Sequence, residues 1–128
     1  MAKITFNEFA DMLERFVGHI PPRFFRDLTG GFNVQKRKKR EGDCLILGEY
    51  VEGGHLGCFI VFYYGSFREI LDNEPAEAWE AEIAETVLHE MQHHLESLAG
   101  RDDLARKEME ELARAMQNRQ PHPADDRG

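Results

Sequence analysis

From Glu74-Pro75 to Ala99-Gly100 the chain carries one unbroken helical pattern, and any fold must be built around it. Proline suits a helix start and glycine suits the residue past its end. Taking His89 as zero and about 100° per residue, Ala84, Leu88, Met91, Leu95 and Leu98 gather between about 180° and 260°. On the same wheel His93 falls near about 40°, Glu96 near about −20°, and Glu82 and Glu85 near about 20° and −40°. One face is therefore a core stripe, and the opposite face presents two histidines and several carboxylates. That distribution predicts a helix forming one wall of a cleft.

The flanking segments supply the rest of a core. Thr5-x-x-Glu8 has capping-box spacing, and Phe6, Phe9, Ala10, Leu13, Phe16 and Val17 follow as an amphipathic stripe that Gly18 and Pro21-Pro22 end. A short second helix is expected over residues 22–28, stopped by Gly30-Gly31. Phe32 and Val34 alternate with polar neighbours. Cys44 to Val51 and Leu56 to Tyr64 are rich in β-formers, the latter being the strongest strand in the chain. A final helix is expected over residues 103–117, with Leu104, Ala105, Met109, Leu112 and Met116 on one stripe. The expected class is α+β: a small mixed or antiparallel sheet packed on helices. Residues 1–118 read as a single domain, and residues 119–128 as a disordered polar tail.

Composition narrows the functional classes. The 128 residues hold 16 Lys+Arg against 24 Asp+Glu, a net charge of −8 that disfavours nucleic-acid and anionic-membrane partners. No apolar stretch is long enough to span a bilayer, and the N-terminus lacks a secretory h-region. Two cysteines without CxxC spacing argue for reduced thiols and a cytoplasmic setting. Cys44 and Cys58, on expected strands, read as small buried apolar thiols rather than nucleophiles. The basic run Lys36-Arg37-Lys38-Lys39-Arg40 reads as a solvated hairpin or edge strand rather than a phosphate patch, because no aromatic or glycine is interleaved with it.

The chemistry concentrates in Val87-Leu88-His89-Glu90-Met91-Gln92-His93-His94. Residues four apart lie one above the other on a helix, so His89 and His93 can offer two imidazoles to one ion. Neutral imidazole is a good zinc ligand. Glu90 can reach a metal-activated water and serve as general base. A catalytic zinc needs a third protein ligand and an open position. Glu96 extends the same face, though about 10 Å along the axis from His89. Asp103 follows the Ala99-Gly100 turn and could fold back; Asp102 is the less favoured neighbour. His94, near about 140° on the wheel, reads as a packed or supporting histidine rather than a ligand. His19, His55 and His122 are isolated and read as structural or surface residues.

The order of helix, small sheet, the segment Phe62-Tyr63-Tyr64-Gly65-Ser66-Phe67, and a helix carrying HExxHH resembles the small bacterial zincin-like metallopeptidases, or minimal zincins. The resemblance covers about residues 5 to 110 and is sharpest at His89-Glu90-x-x-His93-His94. It implies a zincin fold, one Zn²⁺ per chain on His89 and His93, Glu90 as general base, and hydrolysis of a peptide or protein substrate. The familiar motif continues His-x-x-Gly-x-x-Asp, with the Asp as third ligand. Here Glu96 stands where that Gly would be and Ala99 where the Asp would be, while Gly100 and Asp103 repeat the spacing one turn later. Either Glu96 or Asp103 is then the third ligand. The peptide could lie along Leu56 to Tyr64 as an edge strand. The alternative is a metal-binding or regulatory interaction domain without turnover, and a third reading is a structural protein without metal.

Overall fold

Thr5 opens the first helix, α1 (Phe6–Val17), through a complete capping box. The Glu8 amide donates to the Thr5 hydroxyl at 3.1 Å, and the Thr5 amide donates to Glu8 Oε1 at 2.8 Å. The computed structural model describes residues 3–53, 57–99 and 103–119, with side chains over 106–115 of the last stretch. After α1 only a 3-10 turn forms, Pro22–Phe25, instead of the longer helix expected to residue 28. Asp27 adopts φ 65°, a left-handed backbone that an α-helix cannot continue through.

Five strands follow: β1 (Gly31–Gln35), β2 (Arg40–Glu41), β3 (Cys44–Leu45), β4 (Gly48–Glu52) and β5 (Cys58–Tyr63). The main sheet has the order β1-β5-β4, with β1 parallel and β4 antiparallel to β5. It is therefore mixed. β5 lies at its centre, not at an edge, which overturns the expected edge role of Leu56 to Tyr64. The physical reason is burial: the most apolar strand gains most from neighbours on both sides. The segment Cys44 to Val51 also divides. Its start pairs with β2 in a two-residue ladder, and its end forms β4 of the main sheet. Cys44 is exposed and Cys58 only partly buried, contrary to the expectation that both are buried. A two-strand ladder has no second layer to cover Cys44.

The strand pattern also stops sooner than expected. Tyr64–Leu71 is a helix, α2, whose Tyr64, Ser66, Phe67 and Leu71 are buried. Gly65 explains the turn, because a Cβ there would stand 2.5 Å from the Lys38 nitrogen. The buried Ser66 hydroxyl accepts from the Lys39 amide at 3.1 Å and donates to the Lys39 carbonyl at 3.3 Å. The basic run is thus clamped between β1 and β2 over the start of α2. Lys38 and Arg40 pair with Glu69, Lys39 pairs with Glu49, and Lys36 and Arg37 lie over the rings of Phe6 and Tyr63. Its charges are spent within the fold.

The long helix α3 (Ala76–Ala99) and α1 share the core with β5 and α2. Phe9 meets Phe67 with ring centroids 4.8 Å apart, and the buried Trp79 Nε1 donates to the Leu71 carbonyl at 3.1 Å. The last helix, α4 (Asp103–Arg119), packs on α3 and runs two residues past the expected end. Arg23 reaches Glu111 at 3.1 Å, and Arg26 reaches the buried Glu108 at 2.9 Å. Residues 120–128, the bulk of the expected tail, lie outside the described residues, as do His55 and His122. Among the described residues no helix is long and apolar enough to cross a membrane.

Candidate metal centre

α3 is buried along the stripe the wheel predicts: Ala84, Leu88, Met91, Leu95 and Leu98 are each at most 5% exposed. That burial forces the opposite side outward. His89 and His93 are exposed, their rings edge-to-face with centroids 4.7 Å apart. Glu90 is 6% exposed, and its Oε1 lies 3.3 Å from His93 Nδ1. One donor atom from each of His89, Glu90 and His93 lies within 4.8 Å of the others. Two nitrogens bound to one tetrahedral ion stand about 3.4 Å apart. The residues present therefore fit a zinc ion: two imidazoles that solvent can reach, beside a carboxylate that solvent hardly reaches.

Glu90 is buried because β4 lies against its flank of α3. The Tyr63 amide donates to the Leu47 carbonyl, and the Gly53 amide donates to the Gly57 carbonyl. In an antiparallel ladder that parity gives Glu49 and Val51 the bonds to β5. Gly48, Tyr50 and Glu52 then turn their backbone groups to the free edge, toward α3. Burial dominates the carboxyl and pushes it up to about 6; the His89 ring and the Tyr50 amide pull it down, and Glu49 adds a smaller upward push. Close approach requires Gly48, where a Cβ would meet Thr86 Cγ2 at 2.9 Å.

The segment 45–48 and α3 line an open pocket of 330 Å³ beside this trio. Its α3 wall holds Glu82, Glu85, Thr86, His89 and Glu90. Burial, with Glu85 alongside, raises the Glu82 carboxyl above its ordinary value.

The remaining candidates separate from the trio. Glu96 is exposed, takes a 3.5 Å contact from Gln92 Nε2, and does not join the His89–Glu90–His93 group. Asp103 is the first residue of α4, and its side chain lies outside the described residues, as does Asp102 altogether. His94 is fully buried, with Nδ1 2.9 Å from the Tyr50 hydroxyl and Nε2 2.7 Å from the Arg26 carbonyl. Both nitrogens are engaged away from the trio, in line with the packed role expected of it. His19 is a surface residue whose Nδ1 lies 2.7 Å from the Arg15 carbonyl.

The sequence profile of zincin-like metallopeptidases matches residues 41–115, which takes in β4, β5, α2, α3 and most of α4. A solved structure, titled a conserved hypothetical protein from Thermo thermophilus, is 41% identical, with a TM-score of 0.69. The match covers 77% of this chain and 100% of that one. The chain belongs to the zincin-like metallopeptidase family. A comparison with curated proteins finds no match.

Within this zincin, Tyr50 is the site residue that sequence reasoning passed over. An aromatic with a polar tip at an inward strand position is an ordinary pattern. Only the packing of β4 on α3 brings its hydroxyl to His94 Nδ1 at 2.9 Å.

Proposed function

We propose that this zincin is a zinc-dependent peptidase, with His89 and His93 as ligands and Glu90 as general base. Either Glu96 or Asp103 completes the ligand set. The observation that carries the reading is Glu90 itself: a carboxylate shielded under β4, beside two exposed imidazoles, with its carboxyl pushed up to about 6. A base poised near neutrality can both take a proton and return it.

Zinc, when bound, supplies Lewis-acid polarisation of the scissile carbonyl and lowers the pKa of a water. Glu90 takes the proton from the attacking water and delivers it to the leaving amine. An extended peptide or protein segment lies beside β4, using the edge groups of Gly48, with a side chain in the 330 Å³ pocket. The role expected of Leu56 to Tyr64 passes to β4. A cytoplasmic setting, without nucleic-acid or membrane partners, accords with the net charge of −8.

The second reading, a metal-binding or regulatory interaction domain without turnover, draws on the absence of Glu96 from the trio. One experiment separates the two. Elemental analysis of untagged protein purified without chelator should give one zinc per chain, lost in His93→Ala. A peptide library should then be cleaved by the wild type and not by Glu90→Gln, which keeps its zinc. Zinc retained with no cleavage by the wild type favours the second reading; no zinc at all removes both.

A further inference from the structure

We propose that the pocket beside His89 and Glu90 takes a lysine or arginine side chain of the substrate, with Glu82 and Glu85 as its specificity-determining residues. The substrate preference rests on the peptidase reading; the pocket's binding of a cationic side chain does not.

The pocket is continuous with the trio, because His89 and Glu90 form part of its wall. From there it follows α3 toward the start of the helix. Glu85 stands about 6 Å and Glu82 about 10 Å along the axis from His89, on the same side of the wheel. The opposite wall is the segment Leu45 to Gly48, which carries no charge. Thr86 lies against Gly48, and its hydroxyl is already committed to the Glu82 carbonyl at 2.8 Å. A side chain entering beside Glu90 thus has an uncharged wall on one side and carboxylates farther in. Lysine and arginine match that order, with an aliphatic stem that packs on apolar surface and a charged end. At 330 Å³ the pocket is at the small end of ligand sites, which span about 300–1,000 Å³. That suits one long side chain.

What distinguishes these two acids is that the fold leaves them unpaired. Glu49, Glu69, Glu108 and Glu111 each have a lysine or arginine nitrogen within 3.1 Å. Among the described residues no Lys, Arg or His forms an ion pair with Glu82 or Glu85. Glu82 is half-buried, and its raised carboxyl reflects that burial first and the neighbouring Glu85 second. Two like charges on a partly desolvated wall are unfavourable, and a cation between them offsets the cost. An acidic substrate side chain would add a third negative charge there and be rejected.

The test uses full-length zinc-loaded protein and peptides that carry lysine, norleucine or glutamate at each position in turn. Norleucine keeps the stem of lysine and lacks its ammonium. At one position beside the cleaved bond, kcat/KM for lysine should exceed that for norleucine by about tenfold and that for glutamate by about a hundredfold. In Glu82→Gln/Glu85→Gln the lysine-to-norleucine ratio should fall to within about twofold of unity. Glu77→Gln, which removes an exposed charge from α3 outside the pocket, should keep the wild-type ratio. Equal rates for lysine and norleucine in the wild type, a ratio that survives the double variant, or one that falls equally in Glu77→Gln would overturn the proposal. A second readout needs no cleavage. ¹⁵N-labelled protein is titrated with Nα-acetyl-lysine N-methylamide and with its norleucine counterpart. The amides of Gly48 and Thr86 should shift with the lysine compound, and not with the norleucine compound or in the double variant. If the wild type cleaves nothing, the peptidase reading fails by itself and the titration decides whether the pocket takes a cation. Shifts with both compounds, or with neither, would then overturn the proposal.

Discussion

His93 and His94 are neighbours in the chain with opposite fates. The His93 side chain is 46% exposed and shares a donor group with His89 and Glu90. His94 is 0% exposed and has each ring nitrogen committed, one to Tyr50 and one to Arg26. A step of about 100° along the helix separates a residue available to an ion from one built into the frame. The same step separates exposed His89 from buried Glu90. The difference lies in what covers each flank of α3: solvent over His89 and His93, β4 over Glu90 and His94. A ligand must be reachable by the metal and by substrate, whereas a base gains from shielding, because burial lifts a carboxyl toward neutrality.

The largest effect should come from Glu90→Gln. Turnover on any peptide the wild type cleaves should fall by roughly 10²–10⁴-fold at unchanged zinc content, the usual worth of a positioned general base. Equal turnover by the two proteins would dissolve the distinction between base and ligands. Next comes the pair of adjacent alanine variants, compared by urea unfolding of metal-free protein. His94→Ala leaves a cavity and two unpaired polar groups and should cost about 2–4 kcal/mol. His93→Ala, on the open flank, should change stability by no more than about 0.5 kcal/mol. Comparable losses in both would mean that burial does not divide their roles. A smaller effect is expected from Gly48→Ala, where the new methyl meets Thr86 Cγ2 at 2.9 Å. Overpacking there should cost about 1–3 kcal/mol in urea unfolding; an unchanged stability would mean that β4 does not sit tightly on α3. The smallest is a pH effect on the far face of the sheet. Lys39, and then Tyr63, hold the Glu49 carboxyl below its ordinary 4.5. The stabilisation is therefore complete above about 4.5 and is lost as pH falls through the depressed folded value. Acid unfolding of Lys39→Met should show a shallower dependence than the wild type in that window; identical curves would remove Lys39 as the cause.

Much of the fold was legible where local rules act alone. The capping box at Thr5 and Glu8, the proline before α3 and the apolar stripe from Ala84 to Leu98 each depend on residues within a turn or two. Each appears where local spacing places it. The errors fall where distant segments compete. The strand expected to run through Tyr64 ends at Tyr63, where Gly65 lets the Lys38 backbone approach and the chain turns into α2, a helix the sequence reading did not foresee. Residues 22–28 carry a helical composition, yet Asp27 turns left-handed and presents the Arg26 carbonyl to His94. The single β-rich run from Cys44 to Val51 serves two sheets, because its two halves find different partners.

The sequence alone determined that His89, Glu90 and His93 come together on α3, because i, i+4 spacing on a helix is a property of the backbone and needs no tertiary contact. It also determined which side of α3 faces the core. It could not decide that the helix has a third flank. That flank exists because the edge strand β4 packs on α3, with Gly48 against Thr86 and Tyr50 against His94. Strand order and ladder parity are set by contacts between segments far apart in the chain. Those contacts made β5 central, put Tyr50 against His94 and buried the His94 ring.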